Sequence, residues 1–414
     1  MKEKTELKQK YIRQLFCALV FIVAISYSSE EFIPGRLQLQ KMFFVVIAMV
    51  GILGWLYKNI NCIRCRYWSV LVLFCLPFVL STMWTMLLGC INGDMIGTTR
   101  QAITTTLFLI VDFFVLIALV LLFGKKVDKV MSFALLGAYA YIIVLKMHEV
   151  GVANATKQLL AREIERNDIG IAVVPLLLYY LYILIVKKSK SKLNVALTIL
   201  LLAVMFFCGK RSAILSIATG IVLILITNYR RKNAMFVMRL LTYITVILSL
   251  LYVACIHIGA LNQLLAGKGT LSDRLYVWKY FDSMYEISPI YLGKGFGFIH
   301  RYMAAGLGDW MVNEYGYLHN SILQIYIENG FIGFLIWIGM YLVVIPNVAK
   351  KKYGESAYIF TVTNMISMVS MFTVDNNLTY PLYQISLYCS LYSLYRFEET
   401  GRRGKKVKWV SYRK

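Results

Sequence analysis

Charged residues are scarce in this 414-residue chain, 16% against about a quarter in soluble domains. With 59% of residues hydrophobic, that shortfall excludes a water-soluble globular protein and indicates many membrane spans. Acids are the scarcer sign, 21 Asp and Glu against 44 Lys and Arg, for a net charge of +23. In a soluble chain such an excess would suggest nucleic acid. Here the basic residues fall between apolar runs, where they orient a membrane protein, and no nucleic-acid partner is expected. Paired cysteines are missing as well. Eight cysteines stand singly, most of them within apolar runs (Cys17, Cys75, Cys255, Cys389), where they pack as small hydrophobes. The one C-x-x-C, Cys62 and Cys65, has no second pair and no nearby histidine, which argues against a metal or redox site. The sequence shows no internal repeat, no low-complexity stretch and no metal-binding D-x-D pattern, and neither a metal nor another cofactor is expected.

What is present is a succession of apolar runs of spanning length, about 17–25 residues. They lie near 11–28, 40–57, 68–90, 101–123, 129–147, 169–186, 193–208, 212–228, 235–257, 319–347, 355–373 and 377–395. The expected fold class is therefore an all-α polytopic membrane protein of about twelve transmembrane helices, one transmembrane domain over 1–414. The first run has the basic start and apolar middle of a signal peptide, but eleven further spans make an uncleaved signal-anchor the more economical reading. Connecting segments alternate in charge. Lys2–Arg13, Lys58–Arg66, Lys125–Lys129, Lys187–Lys192, Arg230–Lys232, Lys350–Lys352 and the tail Arg396–Lys414 all fall on one side and hold 29 of the 44 Lys and Arg. The other side holds 14, and Arg239 lies inside a span. The positive-inside rule makes the basic side cytoplasmic, so both termini are expected there. Two external loops remain, about 148–168 and about 258–318. The second far exceeds a minimal connector of 2–8 residues, and loops of that length usually carry function.

Three stretches carry candidate chemistry. The first, "HNSILQIYIENGFIGF" at 319–334, opens span ten. His319 is expected at the external boundary, where an imidazole can take a proton from a hydroxyl or can rest as a hydrogen-bonded interfacial side chain. Asn320 and Ser321 are ordinary helix-opening residues. Glu328 is expected about 13 Å into the helix, nearly opposite His319, and is read as serving helix packing rather than catalysis. Gly330 and Gly333 are read as places where a neighbouring helix approaches. The second, "CGKRSAIL" at 208–215, puts Lys210 and Arg211 on the side otherwise poor in bases. They form either a snorkelling interfacial pair or an anion site, since a guanidinium fork suits phosphate oxygens and a helix N-terminus follows. The third covers 271–298, where Arg274, Trp278 and Phe281 at i, i+4, i+7 suggest an amphipathic helix on the membrane surface. After Pro289, Gly293, Gly295 and Gly297 read as a flexible turn; without a strand before and a helix after, this G-x-G-x-G is weak evidence for phosphate binding.

Taken together these stretches resemble the O-antigen ligase and polymerase superfamily. The matching elements are His319–Asn320 followed by Gly330 and Gly333, Arg211 followed by Leu215, and an external loop with Arg274, Trp278, Pro289, Gly293 and Gly295. The clear resemblance covers about 205–335; spans one to six match only in hydropathy. The resemblance implies a membrane glycosyltransferase of the bacterial cytoplasmic membrane, with its site on the external, periplasmic face. It would transfer glycan from a polyprenyl-diphosphate-linked oligosaccharide donor to an acceptor glycan, without metal or ATP. His319 would act on the acceptor hydroxyl, Arg211 and Arg274 would bind the donor diphosphate, and Asn320, Lys210 and Trp278 would support them. A repeat-unit polymerase for a surface polysaccharide (O-antigen, capsule or exopolysaccharide) is the first expectation. A ligase passing finished glycan to a terminal acceptor is the alternative. Membrane lipid is an expected partner, with a flippase and a chain-length regulator as further candidates.

Two rivals belong to other classes. One is a membrane glycosyltransferase using an acidic residue of the first external loop, for which Glu30 and Glu31 are available. The other is a polysaccharide or anion transporter, which twelve spans suit but no intramembrane acid–base chain or broken-helix repeat pair supports. The sidedness is directly testable. In intact cells a membrane-impermeant thiol reagent should label Ala305→Cys and leave Ser189→Cys unlabelled; the reverse pattern would overturn the topology.

Overall fold

A computed structural model describes residues 42, 44–50, 52–53, 56, 68–92, 96–164, 166–265, 271–315, 317–376 and 380–411. The expected first span at 11–28, Glu30, Glu31, Cys62 and Cys65 lie outside the described residues, as does much of the second span at 40–57. Among the described residues every regular element is helical. In chain order the helices from residue 76 are α1 (Leu76–Asn92), α2 (Ile96–Phe123), α3 (Val127–Val150), α4 (Val152–Leu160), α5 (Asn167–Ile185), α6 (Lys192–Phe207), α7 (Arg211–Tyr229) and α8 (Ala234–His257). They continue with α9 (Ala260–Leu265), α10 (Leu271–Tyr280), α11 (Phe298–Ala304), α12 (Trp310–Tyr315), α13 (Ser321–Gly339), α14 (Ile345–Tyr353), α15 (Glu355–Phe372) and α16 (Pro381–Ser411).

Six helical runs among the described residues are long and apolar enough to cross a membrane: Ser69–Ile91, Gly97–Val150, Asp168–Ile185, Arg211–Tyr229, Ala234–His257 and Ser321–Tyr353. The second has 54 residues, about 80 Å at 1.5 Å per residue, which is more than twice a hydrocarbon core of about 30 Å. A 3-10 turn at Gly124–Lys126, with Gly124 at φ 56°, divides it into α2 and α3. The run expected at 193–208 forms α6, only 16 residues long. Those expected at 355–373 and 377–395 form α15 and the first part of α16. In α15 the buried Thr361, Thr363 and Asn364 side chains each donate to the carbonyl four residues back, so polar atoms ride inside the helix at no unpaired cost. The all-helical membrane class is borne out; among the described residues six runs are of spanning length and composition, while part of the expected twelve lies outside those residues.

The chain forms two compact units, each described by itself. The first joins Ile110–Leu225 to the C-terminal stretch from Tyr380. Its core is α5, where Ile169, Ile171, Leu176, Tyr180 and Tyr182 are fully buried against α3, α6 and α16. The Tyr180 hydroxyl donates to Asp128 Oδ2 at 3.2 Å and lies 3.1 Å from Ser132 Oγ, tying α5 to α3. A Cβ on Gly220 would lie 2.2 Å from Leu178, so α7 crosses α5 at small-residue distance.

The second unit joins Ser69–Leu109 to Ile226–Thr379. Here α15 is buried on nearly all sides, as is α13 over 321–330. Trp337 stacks on Tyr341 at 4.3 Å and meets Phe78 of α1 edge-on at 6.0 Å. The long loop is not a surface helix with a slack turn. Trp278 and Phe281 of the expected amphipathic face are 1% and 0% exposed, packed inward on this unit rather than against lipid. After it, Gly293, Gly295 and Gly297 adopt φ 89°, 91° and 87°, and this turn docks onto a break in α13. At Gly330 (φ 70°, ψ −175°) the ladder of α13 is interrupted. The N–H groups of Lys294 and Gly295 donate to the Ile327 and Glu328 carbonyls, and Phe331 N–H donates to Tyr291 O. Gly330 thus admits loop backbone, not the helix expected from its sequence, and a Cβ on Gly333 would meet only Asn329 of its own helix.

A Cβ at Gly330 would lie 2.2 Å from Tyr291 O on a backbone conformation that by itself costs about 1–3 kcal/mol for other residues. Gly330→Ala should therefore lower the unfolding temperature in detergent and speed proteolysis within 286–297. Wild-type stability and protease resistance in that variant would show that the loop does not dock at the break.

Candidate functional site

His319 directly precedes α13 and takes the left-handed conformation, φ 51°, which is uncommon outside glycine. Its neighbours impose it. Trp278 Nε1 donates to Leu318 O at 2.8 Å, holding the chain on one side. On the other, Asn320 caps α13, its Oδ1 accepting from Leu323 N–H at 3.0 Å. The Asn320 amide also donates to Tyr252 Oη at 3.0 Å, and Tyr252 donates to Thr373 O at 2.5 Å. Trp278 and Asn320 are thus committed to backbone and packing, positioning His319 rather than facing a ligand themselves.

The imidazole is not solitary. Its Nδ1 lies 3.6 Å from Oδ1 of Asp375, a fully buried carboxylate. Asp375 is held in turn: its Oδ1 accepts from Asn376 N–H at 2.8 Å, and its carbonyl accepts from both Ser321 N–H and Ser321 Oγ at 3.1 Å. The ring of His319 remains partly open, its side chain 23% exposed, with the Tyr317 ring 6.2 Å away. Sequence reasoning missed Asp375. The available signal was an acid two residues before an expected span, since ionisable groups at membrane depth are functional by default.

Arg274, on α10, reaches the same turn. Its Nη1 donates to Val374 O at 2.5 Å, the residue before Asp375. That uses one of five guanidinium donors and leaves a fixed cation next to the His319–Asp375 pair. Arg211 belongs to the other unit. It is the first residue of α7 and is exposed, following a tight turn in which Gly209 has φ 70° and the Lys210 carbonyl accepts from Ile214 N–H. Leu215, one turn on, is 43% exposed. The structure thus brings His319, Asn320, Trp278 and Arg274 together around residues 373–376, and sets Lys210 and Arg211 at the start of α7.

Glu328 has a different setting. It is fully buried, and its Oε1 accepts from Ile299 N–H at the start of α11 (3.1 Å) and from Gln324 Nε2 (3.2 Å). Both donors are neutral. Its task is to seat the loop helix α11 on α13, a packing role as expected, although the partner is loop backbone. Tyr291 seals the same junction: its hydroxyl donates to Ile327 O at 2.9 Å and its ring stacks on Tyr326 at 5.7 Å. Burial pushes the Tyr291 phenol above its ordinary range, so it stays a neutral donor. Farther out, Tyr276 donates to Asp309 Oδ2 at 2.5 Å; this bond holds the Asp309 carboxyl below, and the Tyr276 phenol above, its usual range. Among the described residues no cluster of His, Cys, Asp and Glu could hold a metal ion.

These elements, from most of α6 through α13, match a known family. The family described as O-Antigen ligase matches residues 196–338. The match spans about a third of the chain and supports a likeness to the O-antigen ligase and polymerase superfamily. This likeness supports a place in polysaccharide biosynthesis, and with its apolar helices the protein is an integral membrane protein. No curated protein matches the chain. The matched stretch contains Lys210, Arg211, Arg274, Trp278, His319 and Asn320; Asp375 and Asn376 lie beyond it.

With only neutral donors, Glu328 needs an acceptor oxygen and no charge. Glu328→Gln should keep the wild-type unfolding temperature, whereas Glu328→Ala should lose about 1–3 kcal/mol by orphaning a buried N–H. Equal loss in both variants would show that the charge itself matters.

Proposed function

We propose that this O-antigen ligase-type protein is a repeat-unit polymerase of a bacterial surface polysaccharide, extending glycan on the external face of the cytoplasmic membrane. The donor is a polyprenyl-diphosphate-linked oligosaccharide and the acceptor a second such unit; a ligase would differ only in passing the glycan to a terminal acceptor. The observation carrying the proposal is the pairing of His319 with the buried Asp375 at the head of α13, beside the fixed cation of Arg274, within a protein that resembles this family. Topology completes the reading: about twelve spans, both termini cytoplasmic, and 148–168 and 258–318 external, supported by the 29 to 14 split of basic residues.

In this mechanism an acceptor oxygen bonds to the donor's anomeric carbon as that carbon's bond to the phosphate oxygen breaks. The electron pair leaves with the lipid diphosphate, and the acceptor proton moves to His319. Asp375, facing Nδ1, favours the tautomer that carries hydrogen there and leaves Nε2 to take the proton. Its distance of 3.6 Å is long for a hydrogen bond, as catalytic pairs often are before substrate binds. Arg274 binds the diphosphate beside this pair; for Arg211, with Lys210 in support, the same role rests on its place in the family's motif alone. One such pair contributes about 4 kcal/mol at an effective dielectric of about 20 and about 4 Å, so fixed arginines stand in for a metal. A flippase delivering the donor and a chain-length regulator are the partners this reaction calls for.

Purified protein in lipid discs, supplied with lipid-linked oligosaccharide, tests the assignment. His319→Ala should lower transfer by about 10²–10⁴ at unchanged folding, and Asp375→Asn by a smaller factor. Arg211→Lys and Arg274→Lys keep the charge but lose the bidentate fork, and each should weaken donor binding or turnover. EDTA should have no effect. Wild-type transfer in His319→Ala, full activity in both Lys variants, or loss on chelation would each sink the mechanism.

A further inference from the structure

Beside the His319–Asp375 pair lies a pocket of about 30 Å³ that opens to a wider mouth, wholly within the second unit. Its enclosed part has room for one or two water-sized groups, at about 10–15 Å³ each, so a larger ligand would lie across the mouth with a hydroxyl inside. Its walls come from α2 (Thr105), the α11 segment (Phe296, His300), the stretch leading into α13 (Tyr317), α13 itself (Gln324) and the 373–376 turn (Asn376). Two of these residues adjoin the proposed chemistry: Tyr317 stands with its ring 6.2 Å from that of His319, and Asn376 is the neighbour of Asp375 in the chain.

The pocket is built for a polar ligand. Gln324 is 6% exposed, and its amide is half used: Nε2 donates to Glu328, while Oε1 is buried without a hydrogen-bond partner. A buried carbonyl in that state is normally satisfied by protein or water, and here it lines a cavity. Asn376, 8% exposed, adds a second amide on another wall. Tyr317, 46% exposed, and His300 stand at the rim with their rings 6.0 Å apart. A buried amide acceptor below and an aromatic rim above match a sugar ring, with hydroxyls to donate and C–H faces to lie on aromatics. They do not match a diphosphate, for which the lining offers no Lys or Arg.

We propose that this pocket is the acceptor subsite, holding the terminal sugar of the accepting glycan with one hydroxyl on Gln324 Oε1 and its reacting hydroxyl toward His319. The inference rests on the polymerase reading above. It divides the site: arginines take the charged donor end, and a charge-free pocket takes the acceptor. Once bound, the acceptor hydroxyl gives its proton to His319 as its oxygen displaces the diphosphate from the donor sugar.

The test separates the two substrates. Lipid-linked oligosaccharide from the producing cells serves as donor; the same oligosaccharide, released from its lipid by mild acid, serves as acceptor, since without a diphosphate it cannot donate. Tyr317→Ala and Gln324→Leu should each raise the KM for the released oligosaccharide about tenfold or more and leave the donor KM within about twofold. Thermal unfolding reports whether each is folded, and Tyr317→Ala, at an exposed position, carries the test if Gln324→Leu is not. A rise in donor KM instead, or no change in either KM, overturns the subsite. Wild-type protein that transfers nothing to the released oligosaccharide overturns the polymerase reading itself, a result distinct from an active wild type with unaltered variants.

Discussion

The turn that follows α15 is the constraint on which the second unit depends. Three successive carbonyls accept from three different helices: Thr373 O from Tyr252 of α8, Val374 O from Arg274 of α10, and Asp375 O from Ser321 of α13. Carbonyls at and beyond a helix C-terminus have no donors within the helix, and in a protein interior each must find one or pay its desolvation. Satisfying them fixes α8, α10 and α13 to a single short segment. The same segment supplies the Asp375 carboxylate, so the backbone that joins the helices also sets the partner of His319. Site and scaffold are one hydrogen-bond network.

A second junction positions the other side of the site. The break at Gly330 leaves α13 carbonyls open, and the turn bearing Gly293, Gly295 and Gly297 fills them with its own N–H groups. Positive φ at all three glycines lets that turn present consecutive N–H donors at close range, something residues with a Cβ rarely do. Its dock places α11 so that Ile299 N–H reaches Glu328, and α11 in turn forms a wall of the pocket beside His319. Long loop and membrane-depth helix are thereby a single folded body within this unit.

Two buried acids of α13 and its partner turn illustrate how burial alone does not assign a role. Glu328 is surrounded by neutral donors, one of them backbone, and its work is to hold a loop helix in place. Asp375 is equally buried but faces an imidazole that remains partly open. The difference lies in the partner. Glu328 meets only neutral donors, one of which seats a loop helix, whereas Asp375 faces a half-open ring.

Much of this was legible along the chain. Scarce charge and repeated apolar runs determined an all-helical membrane protein, because hydrocarbon admits only backbones that satisfy their own hydrogen bonds. The spacing of His319, Asn320, Gly330 and Gly333, with Arg211 and Arg274, pointed to the O-antigen ligase family. Helix-opening residues such as Asn320 were readable because capping is local. What only the tertiary structure decided is everything that joins distant segments. Asp375 stands 56 positions from His319, and no periodicity links them. Trp278 could be recognised as a marker but not as the donor to Leu318 O that holds His319 in place. Gly330 suggested a close helix, and the structure brought loop backbone instead, because a glycine states that something approaches and never what. The pocket behind Gln324 had no trace in sequence at all, since a cavity is defined by the walls that fail to meet.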